Sequence, residues 1–153
     1  MVETGFAGRI TFESDRVNFT KENDDFVYGH VKGYSMWPCF IPGDILRAGE
    51  VRVGQLSAGD IVVLDSDSST PVVHRLKKMN MNENGTVTLV TEGDRSGQDP
   101  PRTLDPKEEL LRVVGVLRRG KWKKPKRYFI TILRKVPGRF VTVHCRIIRR
   151  ICW

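Results

Sequence analysis

Short β-prone runs separated by glycine and proline fill the chain from Phe26 to about Arg119, and this pattern restricts the fold more than any other feature. The runs are too short for typical helices and are rich in β-branched and aromatic residues. Segments that fit strands are 26–31, 45–53, 61–64, 71–81, 86–91 and 113–117. Five or six short strands with almost no helix predict a mainly β fold, a small and partly closed β-barrel.

Local signals sharpen four parts of this prediction. The continuous apolar run Ile61–Leu64 indicates a strand buried on both faces. Asn84 and Gly85 both tolerate positive φ, so the segment that holds them predicts a hairpin. Residues 108–111 fit one helical turn, and residues 8–12 fit a short strand.

The length of 153 residues is that of one domain with short appendages. We expect a polar lead-in over residues 1–25, a β domain over residues 26–119 and a basic tail over residues 120–153. Apolar residues of the tail recur at helical spacing, which fits a short amphipathic helix on a membrane surface. These residues are Val143, Ile147, Ile148 and Ile151. A strand over residues 140–143 fits this part of the sequence almost as well.

Charge is divided unevenly along the chain, whose formal net charge is +8. Residues 112–153 hold 14 lysines and arginines and no acidic residue, whereas residues 1–111 carry a net charge of −6. A basic tail on an acidic body indicates contact with an anionic surface. We expect an anionic membrane surface bound through residues 120–153. Nucleic acid fits less well, and a solvated basic extension is the third interpretation.

Several functions lack support in the sequence. The most apolar uncharged run, Tyr128–Leu133, has six residues, whereas a membrane-spanning helix needs about 18. Residues 1–10 lack the apolar core of a secretory signal, so we expect a protein of the cytosol or the membrane periphery. The three cysteines lack metal-ligand spacing and the three histidines stand apart. We therefore expect neither a metal ion nor another cofactor.

The segment from Gly33 to Asp44 is the most informative part of the sequence. Ser35 follows a candidate strand and precedes the helix-breaking Pro38, which predicts a tight turn that exposes the serine hydroxyl. Most serines in turns have a structural role only. The residues downstream distinguish this one.

Three residues downstream could serve a serine nucleophile. His74 lies on an apolar candidate strand, and Asp94 and Asp99 follow a later one. Serine, histidine and aspartate supply a nucleophile, a base that takes its proton and a carboxylate that orients the base. Histidine suits the role of base because its ordinary pKa, about 6.5, lets it accept a proton at neutral pH.

Five local sequences occur in order along the β domain. They are Ser-Met-x-Pro with the following Pro-Gly-Asp (35–44), Gly-Asp-Ile-Val-Val (59–63), the strand that bears the base (72–76), Thr-x-Gly-Asp (91–94) and Val-Val-Gly (113–115). In this order they resemble the type I signal peptidase family and its relatives, the self-cleaving repressor peptidases. The resemblance covers residues 30–118 and implies the family's fold for them.

The resemblance implies a role for each candidate residue. Ser35 matches the nucleophile, and His74 stands where most bacterial members have a lysine base, as in the endoplasmic-reticulum and archaeal branch. Asp94 and Asp99 both lie where that branch carries its acidic partner, and spacing does not decide between them. Signal peptidases often carry a serine two residues before the nucleophile, and its hydroxyl helps to bind the oxyanion. This chain has Gly33 at that position, so we expect main-chain amides to bind the oxyanion.

The sequence therefore predicts a serine endopeptidase that cleaves an extended segment of a peptide or preprotein after small residues, with no cofactor. A self-cleaving repressor would need a DNA-binding domain before the peptidase, and the roughly 30 residues before Val31 show no such pattern. The other alternative is a non-catalytic binding module that uses its basic tail on lipid or nucleic acid. The apolar side chains beside Ser35 fit a core or a binding surface equally well: Met36, Trp37 and Phe40.

Overall fold

The computed structural model describes residues 17–21, 25–65 and 71–125 of the chain. Nine strands and one short 3-10 turn, Val53–Gln55, make up the regular structure of these residues. The strands are β1 (Val17–Lys21), β2 (Phe26–Val31), β3 (Ile45–Arg52), β4 (Ile61–Leu64), β5 (Val72–Met81), β6 (Val87–Glu92), β7 (Arg102–Leu104), β8 (Glu109–Arg118) and β9 (Lys121–Lys123).

These strands form one antiparallel sheet that curls into a half-barrel. Their order in the sheet is β1-β2-β3-β8-β4-β5-β6-β7, with β9 paired to β8. The long strand β8 joins the two halves, because it pairs with β3 along one side and with β4 and then β9 along the other. The predicted mainly β, partly closed fold is confirmed.

Two clusters of buried apolar side chains form the core of the described residues. One gathers around Leu46, Val116 and Phe40, and it includes buried residues of the chain segment between β2 and β3. The other gathers around Leu76 and Leu89, between β5, β6 and the segment after β3. The first cluster therefore supports the segment that carries Ser35.

Several local predictions agree with the structure. The four residues of β4 are all buried. Between β5 and β6, Gly85 has a φ of 81° and the Asn82 N–H donates to the Thr86 carbonyl at 2.8 Å, which closes the predicted hairpin. For Met36 and Phe40 the sequence left a core and a binding surface open; both belong to the core, with exposed fractions of 3% and 1%.

The helical turn predicted over residues 108–111 is wrong. A turn closed by the Glu108 N–H and the Asp105 carbonyl ends there, and β8 begins at Glu109. The reason is packing: Leu110 packs against the second cluster and Leu111 against the first. Successive strand residues point to opposite faces, which lets two adjacent leucines reach two different clusters.

Both ends of the predicted β domain gain a strand. β1 pairs with β2 over its whole length within the segment predicted as a polar lead-in, and β9 returns along β8 within the predicted tail. The strand predicted over residues 8–12 lies outside the described residues. So do residues 126–153, with the amphipathic helix or strand predicted there.

Candidate active site

A cleft of about 590 Å³ opens between the segment after β2, the start of β5 and the segment after β6. Its volume is typical of a ligand-binding cleft. The residues with polar side chains along it are Tyr34, Ser35, His74, Ser96, Gln98 and Asp99. Two segments form much of its wall. We call residues 33–40 the Ser35 turn and residues 93–99 the 93–99 loop.

The Ser35 turn is held by its own hydrogen bonds and by two buried side chains. The Trp37 N–H donates to the Tyr34 carbonyl at 3.0 Å, and the Phe40 N–H donates to the Met36 carbonyl at 2.8 Å. Met36 and Phe40 lie in the core, and Ser35, directly before Met36, stays half-buried at the cleft wall. The predicted tight turn is present.

His74 lies on β5 opposite Val62 of β4, with 6% of its surface exposed. Its Nδ1 lies 2.6 Å from Asp99 Oδ2. A carboxylate can only accept, so Nδ1 carries the proton and Nε2 of the neutral ring is left as an acceptor. This arrangement fixes the ring and its tautomer, which is what a general base requires.

Asp99 is itself oriented by β6. The Thr91 hydroxyl donates to Asp99 Oδ2 at 2.7 Å, and the Asp99 N–H donates to the Thr91 carbonyl at 2.8 Å. The carboxylate is therefore held by side-chain and main-chain contacts to one residue. Its side chain remains 26% exposed, so the pair with His74 lies at the edge of the cleft and is not sealed in the core.

Asp94 has a different partner. Its two carboxylate oxygens accept from Arg75 Nε and Nη2 at 2.8 and 2.9 Å, and both side chains are almost fully buried. Burial, the largest influence, lowers the pKa of Arg75, but the hydrogen bonds and charge of Asp94 with those of Cys39 outweigh it and hold the pKa above its ordinary value. Arg75 also donates to the Gly59 carbonyl at 3.1 Å.

Three of the four predicted site residues therefore line one cleft: Ser35, His74 and Asp99. Asp94 lies on the other side of β5, where it anchors the 93–99 loop to Arg75. His74 and Arg75 are adjacent on a strand and point to opposite faces, so each takes one aspartate of the loop.

The structure adds two residues to the site that the sequence did not single out. Ser96 Oγ lies 3.5 Å from His74 Nε2. A Cβ atom on Gly93 would overlap Ser96 Oγ and would lie 2.7 Å from the Ser35 carbonyl oxygen and 3.0 Å from His74 Nε2. Position 93 therefore has no room for a side chain, because the serine turn, the base and the loop meet there.

A second buried ion pair supports the Ser35 turn from its far end. Asp44 accepts from Arg118 Nε at 2.6 Å and from Arg118 Nη2, and its Oδ2 accepts from the Ile41 N–H at 2.9 Å. Arg118 Nη2 also donates to the Cys39 carbonyl at 3.1 Å. The end of β8 is thereby tied to the segment that follows Ser35.

Neither a metal centre nor a membrane span is found in residues 17–21, 25–65 and 71–125. Over these ranges no group of three or more histidine, cysteine, aspartate or glutamate side chains could hold a metal ion. The same ranges contain no helix long and apolar enough to cross a bilayer.

Curated relatives match the chain over 65% of its length. The catalytic subunit of the signal peptidase complex of Eremothecium gossypii is 35% identical over 104 residues. A corresponding catalytic subunit of Homo sapiens is 30% identical over 100 residues, and that of Dictyostelium discoideum is 29% identical over 100 residues. No protein-family profile matches the chain, and no solved structure matches it.

A mainly β half-barrel with these relatives supports one class, the type I signal peptidase superfamily. Within that superfamily, the three relatives described above are catalytic subunits of the signal peptidase complex. The matched region spans between 52% and 60% of the length of those relatives.

Proposed function

We propose that this chain is a serine endopeptidase of the signal peptidase type, which cleaves an extended segment of a preprotein. Ser35 is the nucleophile, His74 the general base and Asp99 the carboxylate that orients the base. The 2.6 Å contact between His74 Nδ1 and Asp99 Oδ2, in the cleft that Ser35 lines, carries this proposal. The name shared by the relatives, catalytic subunit of the signal peptidase complex, supports the substrate class.

In the first half of the reaction, His74 Nε2 takes the proton of Ser35 Oγ as that oxygen attacks the carbonyl carbon of the scissile bond. Asp99 accepts from Nδ1–H and stabilises the imidazolium that forms. The imidazolium then gives its proton to the departing amine, which leaves an ester on Ser35. In the second half, His74 deprotonates a water molecule that hydrolyses the ester, and the proton returns to Ser35.

The oxyanion would be bound by main-chain amides. Gly33 brings no hydroxyl to the cleft, so we expect the Ser35 N–H and neighbouring amides to donate to the oxyanion. Loss of one oxyanion donor typically lowers the rate about 10²- to 10³-fold. We therefore expect slow turnover, with the catalytic step limited by oxyanion stabilisation.

Among the described residues, the start of β5 has one edge without a strand partner, where a substrate strand could pair. Residues 72–74 of β5 pair with β4 on one side, whereas β6 pairs with β5 only from Arg75 onward. Val72 and Val73 line the cleft at this free edge. An extended peptide added here would be recognised mainly through its backbone, with shallow pockets for its side chains.

An acylating probe tests the catalytic proposal. Purified full-length protein is treated with a fluorophosphonate or a β-lactam-type probe, and the labelled residue is mapped by mass spectrometry. We expect covalent label on Ser35 and none in Ser35→Ala, because an oriented base activates that hydroxyl only. Label on another serine, or peptide cleavage by Ser35→Ala at the wild-type rate, would reject the assignment. Binding of lipid or nucleic acid by a protein that neither labels nor cleaves would favour the non-catalytic module.

We also propose that the basic segment over residues 120–153 binds an anionic membrane surface. In the described part, the β8–β9 turn and its flank expose basic side chains and no acidic one: Arg119, Lys121, Lys123 and Lys124. Each basic residue near such a surface adds about 1 kcal/mol, and apolar residues of the tail would insert without being screened by salt. We expect binding to anionic vesicles that persists in part at high salt. Binding that disappears at high salt, equally for vesicles and duplex DNA, would contradict it.

A further inference from the structure

One residue of the 93–99 loop, Arg95, makes two contacts with the Ser35 turn. The Arg95 N–H donates to the Ser35 carbonyl oxygen at 2.7 Å. The guanidinium of the same arginine lies over the Trp37 ring, with its Cζ 5.6 Å from the ring centroid. An arginine at this distance from the face of a tryptophan makes a cation–π contact.

Both sides of this contact are anchored. Asp94, next to Arg95, is fixed by two hydrogen bonds to the buried guanidinium of Arg75. Trp37 lies between Met36, which is buried in the core, and Pro38, which is also buried. Arg95 itself is exposed, so its guanidinium could extend into solvent. It lies over the Trp37 ring instead.

The contact bears directly on the geometry of the site. The Ser35 carbonyl belongs to the nucleophilic residue, so the hydrogen bond from Arg95 restricts the backbone torsions that aim its hydroxyl and its N–H. The loop that supplies this hydrogen bond also carries Asp99, which holds His74. A displacement of about 1 Å between reacting groups can lower a rate by as much as about 10²-fold.

We propose that Arg95 is a positioning residue: its guanidinium on Trp37 fixes the Ser35 turn against the loop that holds the base. This inference rests on the proposed function, and it adds to that function a residue that neither touches the substrate nor takes part in proton transfer. Arg95 acts through Trp37 and through the Ser35 main chain. The contact needs a cation and an aromatic ring. It does not need the paired N–H donors of a guanidinium, so a lysine could replace the arginine.

The test is a double-mutant cycle on the rate of Ser35 acylation by the probe. We expect Arg95→Gln and Trp37→Leu each to slow acylation about two- to fivefold, the size of an exposed cation–π contact, with no change in probe affinity. The double variant should be no slower than the slower single variant, because both remove one interaction. Arg95→Lys keeps a cation over the ring and should restore most of the rate. Arg52→Ala, which removes an exposed arginine at the opposite end of β3, should have no effect.

Hydrogen exchange supplies a readout that does not depend on catalysis. The amide at position 95, which donates to the Ser35 carbonyl, should exchange faster in Arg95→Gln and in Trp37→Leu than in the wild type or Arg52→Ala. Faster exchange in a protein whose Ser35 is never labelled would support the positioning contact and reject the proposed function. Unchanged exchange and an unchanged acylation rate in Arg95→Gln, with normal labelling of wild-type Ser35, would overturn the positioning role alone.

Discussion

Removal of either Ser35 or His74 is expected to lower the rate of peptide cleavage by about 10³-fold or more, and the double variant should be no slower than the single ones. In the proposed mechanism the two residues act in one step, since the hydroxyl is a weak nucleophile unless the base takes its proton. The measurement is single-turnover cleavage of a preprotein-derived peptide with small residues before the scissile bond. Each variant is compared with wild-type protein at equal concentrations of folded chain.

Folding must be controlled separately for the two positions. Ser35 is half-buried at the cleft wall, so Ser35→Ala should unfold at nearly the wild-type temperature. His74 is buried, and its truncation leaves a small cavity, so His74→Gln accompanies His74→Ala as a variant of closer volume. His30→Ala removes an exposed imidazole from β2, a strand that does not pair with β5, and should retain full activity. Cleavage at the wild-type rate by a folded His74→Gln would show that another group is the base.

The sequence predicted most of the sheet because short β-prone runs and turn residues mark strands locally. β2 and β4 have the predicted bounds, and the Asn-Gly hairpin needs only the φ preference of its own residues. The error at residues 108–111 has a tertiary cause. Whether Leu110 and Leu111 share a helix face or split across a strand depends on two clusters formed by residues distant in sequence.

The sequence predicted those candidate site residues that stand in recognisable local motifs. Ser35 and His74 stand in recognisable sequences, and the structure places both along one cleft. The partner of His74 could not be chosen, because Asp94 and Asp99 lie five residues apart in an irregular loop with no period to assign their direction. The side of β5 that each reaches is settled by contacts with Arg75 and Thr91.

The roles of Gly93 and Arg95 depend on contacts between distant segments, which a local sequence motif does not reveal. The sequence shows a glycine before an aspartate, but only the folded chain brings Ser35, His74 and Ser96 around that position. In the sequence nothing distinguishes Arg95 from other basic residues. The structure places its guanidinium over the Trp37 ring. Close approach of segments separated by some 60 residues follows from sheet topology, which a single sequence specifies only indirectly.

Asp99→Asn is expected to lower the cleavage rate with little effect on stability, whereas Asp94→Asn is expected to lower the stability of the fold. In Asp99→Asn the amide would keep the shape of the side chain but could donate to His74 Nδ1 and stabilise the wrong tautomer, so cleavage should fall by about 10³- to 10⁴-fold. The unfolding temperature should change little, because the Asp99 side chain is 26% exposed. Asp94→Asn leaves the buried Arg75 guanidinium without its counter-charge, a change that typically lowers the free energy of unfolding by about 3–5 kcal/mol.

The paired measurements are single-turnover cleavage and denaturant unfolding on the same preparations. Asp65→Asn, an exposed carboxylate at the end of β4, is the matched control for both and should change neither. A stable Asp94→Asn that cannot cleave, together with an Asp99→Asn of normal activity, would assign the orienting role to Asp94 instead. The expected result is the reverse because the two aspartates lie on opposite faces of β5: one meets a base at the cleft and the other a permanent cation in the interior. The same loop thus holds His74 through one carboxylate and is anchored to the sheet by the other.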